Sequence, residues 1–110
     1  NSVYQNYFEH ARHEFLLESE IDFSDLAEQG VNLMVTRVEL DFKRSLRPKH
    51  DFYVTIEVEK ISRIQYAFIQ HIYLVENDQL MVSSKAIGVA VNAKGRPMAS
   101  PELDRLLSHA

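Results

Sequence analysis

An α+β domain, with one long helix laid on an antiparallel sheet, is the architecture this sequence predicts. Two patterns carry the prediction. The first residues place apolar side chains at three- and four-residue spacing, the period of a helix. The middle of the chain then holds four stretches of strand-like character, several of them alternating apolar and polar residues, separated by short turns. The chain has 110 residues, 45% hydrophobic and 25% charged, enough for one modest core.

The first helix is expected from about Val3 to Glu18, with Tyr4, Tyr7, Phe8, Ala11 and Phe15 as its apolar stripe. Asn1 or Ser2 can cap it. A shorter helix is expected over Asp22 to Gln29, with Ser24 as cap and Gly30 as stop. The first strand runs from about Asn32 to Phe42, where Val38, Leu40 and Phe42 alternate with Glu39 and Asp41. The second runs from Phe52 to Ile61, its face made by Phe52, Val54, Ile56 and Val58. The third (Ile64 to Val75) follows after only Ser62 and Arg63, so a tight hairpin is expected. Glu76, Asn77, Asp78 and Gln79 make the next turn, and the fourth strand spans Leu80 to Val91. Strands three and four are apolar on both faces and belong in the middle of a meandering sheet. Lys94, Gly95, Arg96 and Pro97 close it, and Ser100, Pro101 and Glu102 start a last helix as cap, first-turn Pro and first-turn acid.

Several functions are disfavoured by composition. Without Cys there is no disulfide framework, thiolate nucleophile or Cys-bound metal. A formal net charge of −4 argues against general nucleic-acid binding. No apolar run approaches the roughly 20 residues that span a bilayer, and no leader pattern is visible, so no membrane partner and a cytoplasmic location are expected. There is no nucleophile elbow, P-loop or dinucleotide fingerprint.

The stretch Asn1-Ser2-Val3-Tyr4-Gln5-Asn6-Tyr7-Phe8-Glu9-His10-Ala11-Arg12-His13-Glu14-Phe15-Leu16 resembles the first-helix signature of hot-dog-fold acyl thioesterases, in particular the 4-hydroxybenzoyl-CoA thioesterase-like group. Three later stretches resemble it in the same order. They are Leu40-Asp41-Phe42 through Leu46-Arg47-Pro48 and Asp51; Arg63-Ile64-Gln65-Tyr66; and Ala86-Ile87-Gly88-Val89-Ala90-Val91 with Gly95-Arg96-Pro97 and Pro101. Ser45 stands where the family usually has Pro, and His50 where it usually has Gly. The family's Asp-x-x-Gly-Val-Val strand would precede Asn1. The resemblance therefore makes residues 1–110 a single hot-dog domain whose first strand, with its catalytic acid, is expected ahead of them.

The resemblance implies hydrolysis of an acyl thioester carried by coenzyme A or an acyl-carrier protein. It implies no cofactor and at least a homodimer, either a homodimer or a homotetramer. The alternative is a non-catalytic acyl-binding or assembly module on the same fold. A helix N-terminus offers unpaired N–H groups and partial positive charge to a developing oxyanion, though by itself it reads as an ordinary capped helix end; the resemblance implies that Asn1, Ser2, Val3 and Tyr4 stand at the reaction centre. Glu9 and Arg12, three apart on one side of the helix, are further catalytic candidates. Tyr7, Phe8, Tyr66 and Phe68 are expected to line the acyl chain. Lys43, Arg44 and Arg47, with Lys49, form the one basic cluster of an acidic chain and would meet substrate phosphates, with Lys85, Lys94 and Arg96 adding to the same field. His10, His13 and Glu14 could be imagined around a metal, but no further ligand motif accompanies them, and no metal is expected. His71 is expected to hydrogen-bond within the sheet.

Overall fold

A computed structural model describes residues 2–18, 23–44 and 51–108. Helix α1 spans Ser2–Glu18 and α2 spans Phe23–Glu28. Strands follow at Asn32–Phe42 (β1), Phe52–Lys60 (β2), Gln65–Leu74 (β3) and Leu80–Val91 (β4). A two-residue strand, Pro97–Met98 (β5), precedes helix α3 at Pro101–Asp104 and a 3-10 turn at Arg105–Ser108. None of the described helices is long and apolar enough to cross a membrane.

The sheet is antiparallel in the order β1-β4-β3-β2, with β5 paired to β4. Strands β3 and β4 are central, as their two-sided apolar character requires. The meander holds for β2, β3 and β4 but not for β1, which pairs with the far side of β4 rather than with its chain neighbour β2. Pairing there lets β1 complete the face that α1 covers.

Alternation fixes which face that is. Phe52, Val54, Ile56 and Val58 of β2 lie opposite Leu74, Ile72, Gln70 and Phe68 of β3. Phe68, Gln70 and Ile72 in turn lie opposite Ala86, Ser84 and Val82 of β4. These residues form one face, and all three helices pack on it: Phe8 of α1 against Ile72, Leu74, Met81 and Val82, and Leu26 of α2 with Leu103 of α3 against Tyr66, Phe68, Ala86 and Ala90.

Strand β1 joins this face only because of a bulge. Its register slips between Val35 and Arg37, leaving Thr36 unpaired. An extra residue reverses the parity of the strand. Leu33 and Val35, opposite Ala90 and Gly88, therefore face the helices together with Val38, Leu40 and Phe42.

The turns follow their residues. Gly30, at φ +82°, ends α2 as expected, with Val31 N–H bonded to Leu26 O (2.8 Å) and Gly30 N–H to Ala27 O (3.0 Å). Ser24 lies inside α2 rather than ahead of it. The β2–β3 loop is longer than expected, residues 61–64. Ser62 Oγ accepts the N–H groups of Ile64 (3.3 Å) and Gln65 (3.1 Å), replacing ladder partners. Asp78 takes φ +56° in the β3–β4 turn, and Asn77 Oδ1 accepts from Gln79 N–H. Ser100 caps α3 through Leu103 N–H (3.3 Å).

Candidate functional site

Helix α1 lies along the sheet with Phe8 1% exposed beneath it. Its first half is surrounded by aromatic rings. Tyr4 meets Phe42 edge-on at 5.2 Å, and Tyr7 tilts against Phe52 at 4.9 Å. Its second half stands away from β1, and a groove of 400 Å³ opens between them. Leu16, Leu17, Leu33, Val35 and Phe68 give the groove an apolar lining, while Glu9, Arg12 and His13 supply the polar side chains. Gly88 makes room for the floor. A Cβ there would stand 3.2 Å from the Phe68 ring and 3.3 Å from Leu33 Cδ1, so glycine lets both side chains lie flat on β4.

One polar row interrupts the helix-facing surface. Gln70 is fully buried, and its Nε2 donates to Phe8 O (2.9 Å) while its Oε1 accepts from Arg12 (2.9 Å). A strand thus grips the helix backbone and fixes the Arg12 guanidinium. Burial pulls the Arg12 pKa below the usual arginine range, and the nearby charge of Glu9 opposes that shift. Arginine stays charged regardless, so the groove mouth holds a fixed cation beside a carboxylate. Ser84, the β4 neighbour of Gln70, completes the row.

Glu9, Arg12 and Phe68 are therefore brought together at the groove. The remaining expected site residues are placed elsewhere. Asn1 and Arg47 lie outside the described residues, as does Lys49; Ser2 and Val3 form the first turn of α1. Tyr4 and Tyr7 stand at the aromatic end rather than in the groove. Phe8 and Tyr66, expected beside the acyl chain, are as buried as Phe68 but do not line this groove. Tyr66 instead anchors the C-terminal segment. Its hydroxyl donates to Asp104, which also accepts from Lys60 (2.9 Å). Burial first, then the bond to Asp104, raises the Tyr66 pKa far above the ordinary phenol range, so it remains a donor.

Lys43 pairs with Asp41 at 2.7 Å, and Arg44 is exposed beside it at the Phe42 end of β1. Lys94 and Arg96 follow the other end of the twelve-residue β4, and Lys85 projects from the open face opposite Glu39. The length of that strand exceeds the Debye length of about 10 Å, so the expected single basic field is divided. His10 pairs with Glu14 at 3.9 Å on the exposed side of α1. Among the described residues no three His, Asp or Glu side chains converge on a metal position.

The face away from the helices carries a depression of 380 Å³ around His71 and Ser83, which are joined at 2.8 Å as an in-sheet bond. Asp41 lies beyond Ser83 and Thr55 beyond His71. The order acid, serine, histidine is wrong for a catalytic triad, which needs histidine in the middle.

Sequence reasoning overlooked Gln70, Ser84, Leu33 and Val35. Gln70 and Ser84 did leave a signal, as polar residues at face positions otherwise held by Tyr66, Phe68, Ile72, Val82 and Ala86.

Comparison with known proteins bears on the fold and the family. A chloroplastic acyl-acyl carrier protein thioesterase of Arabidopsis thaliana is 31% identical over 101 residues, which is 92% of this chain and 53% of that protein. The chain spans about half the length of the two Arabidopsis relatives it matches. A 1,4-dihydroxy-2-naphthoyl-CoA thioesterase from Synechocystis superposes with a TM-score of 0.86 at 13% identity, covering 97% of this chain and 80% of that one. A Staphylococcus aureus protein solved in complex with CoA gives 0.85 at 13% identity, covering 99% and 70%. These likenesses identify the helix-on-sheet arrangement as the hot-dog fold. Residues 1–107 match the thioesterase-like superfamily as a whole, and with the four ordered motifs and the shared fold this makes the chain a member of that superfamily.

Proposed function

We propose that this chain hydrolyses an acyl thioester, presented on coenzyme A or on an acyl-carrier protein, to a free acid and a thiol. The observation that carries the reading is the apolar groove along α1 with Glu9 and Arg12 at its polar end, in a chain of the thioesterase-like superfamily. Substrate runs along the helix. Its phosphates face Lys43 and Arg44, with Arg47 three positions further along the sequence. Its carbonyl sits by the first turns of α1, where Ser2, Val3 and Tyr4 offer backbone N–H groups. Its acyl chain extends toward Leu16 and Leu17. From Glu9 to Leu17 the helix rises about 12 Å, which sets the length of the apolar bed. The names of the Arabidopsis relatives and the CoA bound to the Staphylococcus protein support these two carrier classes.

The active assembly in this reading is at least a homodimer. Strand β1 is an eleven-residue sheet edge whose Met34, Val35, Val38 and Phe42 are all exposed, and a second copy is the natural cover for it. Light scattering at micromolar concentration should give twice the chain mass or more, and a monomer would refute this part.

The activity is tested by thiol release from aliphatic and aromatic acyl-CoAs and acyl-carrier proteins with the full chain. Turnover on at least one class is expected. Tight acyl binding without turnover would instead establish a non-catalytic acyl-binding module.

A further inference from the structure

Ser84 is 3% exposed, and its hydroxyl has no hydrogen-bond partner among the described residues. Its neighbour Gln70 directs its amide to Phe8 O and Arg12 instead. Buried polar groups nearly always bond to protein or to ordered water, because an unpaired one is destabilising. A cavity of 70 Å³ lies under α1 at this point, lined by Ser84, Gln5, Phe8, Glu9, Arg12, Val38 and Leu40. One water needs about 10–15 Å³ of such space and two to four polar partners. Ser84, Gln5, Glu9 and Arg12 can provide them.

The cavity's place in the fold gives that water a use. Glu9 and Arg12 line both the cavity and the groove, so the two spaces share a polar wall. The cavity lies at the level of Gln5 to Arg12, next to the helix start and alongside the near end of the apolar bed. We propose that Ser84 holds in this cavity the water that attacks the thioester, an assignment that rests on the hydrolase reading above. The water oxygen bonds to the carbonyl carbon while Glu9 accepts its proton. The carbon–sulfur bond then breaks, and the departing thiolate takes the proton from Glu9. Acid and thiol are the only products, and Glu9 ends as it began. Ser84 is a positioning residue. Its hydroxyl orients the water, and Gln70 acts one step further away by holding Arg12 beside Glu9.

Thr and Val at position 84 isolate the hydroxyl, because they share a shape and both suit a strand. S84V and S84A should each lower kcat about tenfold, the weight of one lost hydrogen bond in the transition state, with KM within about twofold. S84T should restore most of kcat. A high-resolution crystal structure should show an ordered water on Ser84 Oγ. An active wild type matched in kcat by S84V, or an empty cavity beside Ser84, would overturn the assignment. A wild type inactive on every thioester would break the hydrolase reading itself, a result distinct from either.

Discussion

The two ends of the sheet are closed in different ways. At the Tyr4 end, α1 is the only helix on the cluster of Ile72, Leu74, Met81 and Val82 among the described residues, with Phe8 fully buried in it and Tyr4 packed beside it. At the other end, Leu26 from α2 and Leu103 from α3 share the covering of Val58, Tyr66, Phe68, Ala86 and Ala90 with the partly buried Phe15 and Leu16 of α1. The polar pair Gln70 and Ser84 lies between them. Where α1 alone is the lid, it must press onto the sheet. Where short elements share the work, α1 is free to stand off β1, leaving Leu17 65% exposed and a groove beneath. Division of the cover is what makes room for a site.

The largest effect should fall on Phe8, the fully buried helix residue of the Tyr4 end. Phe8→Ala removes a fully buried ring and should cost about 3–5 kcal/mol, a large share of the 5–15 kcal/mol typical of a domain. Urea unfolding measures it. A loss below about 1 kcal/mol would mean that the Tyr4 end is held by its outer aromatic ring instead.

A smaller loss is expected at the shared end. Tyr66→Phe keeps the ring but removes the bonds to Asp104 and to Ser100 O (3.2 Å), a loss of about 1–2 kcal/mol. It should also change the acid limb. The Tyr66 bond, then the Lys60 bond, hold the Asp104 carboxyl below its ordinary range. Such a group binds fewer protons folded than unfolded. Its contribution is present above the ordinary carboxylate pKa near 4 and disappears as pH falls through the lower folded value. Stability of Tyr66→Phe should therefore fall less steeply below pH 4 than wild type, by a small margin because Asp104 is largely open to water. Parallel slopes in urea midpoints between pH 2.5 and 6, about the range of carboxylate titration, would show that Tyr66 does not set the Asp104 pKa.

The smallest change in stability belongs to the groove. Leu17→Ser, at an exposed position, should alter stability by less than about 0.5 kcal/mol. It should raise KM for long acyl chains more than for short ones, since it removes uniform binding remote from the carbonyl. Equal KM changes at all lengths would place the acyl chain elsewhere.

Much of this arrangement is legible in local sequence. The helix start, the four strands, Gly30 and the Ser100 cap each depend on residues within a few positions of one another. The groove is not local. It needs β1 to cross to the far side of β4 and Thr36 to drop out of the ladder, and neither has a signature in nearby residues. Phe8 and Tyr66 stand away from the groove for a related reason. An aromatic on the inner face of an element can meet either a cavity or another side chain, and periodicity does not say which. Glu9, Arg12 and Phe68 meet at the groove because the first two lie on the helix flank facing β1 and the third on the strand face below.

The bulge at Thr36 has a consequence for how such a wall can change. β1 carries two interleaved sets of side chains, Leu33 and Val35 in one and Met34 and Thr36 in the other. The position of one surplus residue decides which set meets the helix. Deleting Thr36 would leave a regular ladder with Leu33 and Val35 still inward. Drawing Thr36 back into the ladder would turn them outward and bring Met34 and Thr36 in. A change of register could thus exchange at once everything that β1 gives the groove, offering a chain of this kind a different wall to its acyl bed without a single substitution in it.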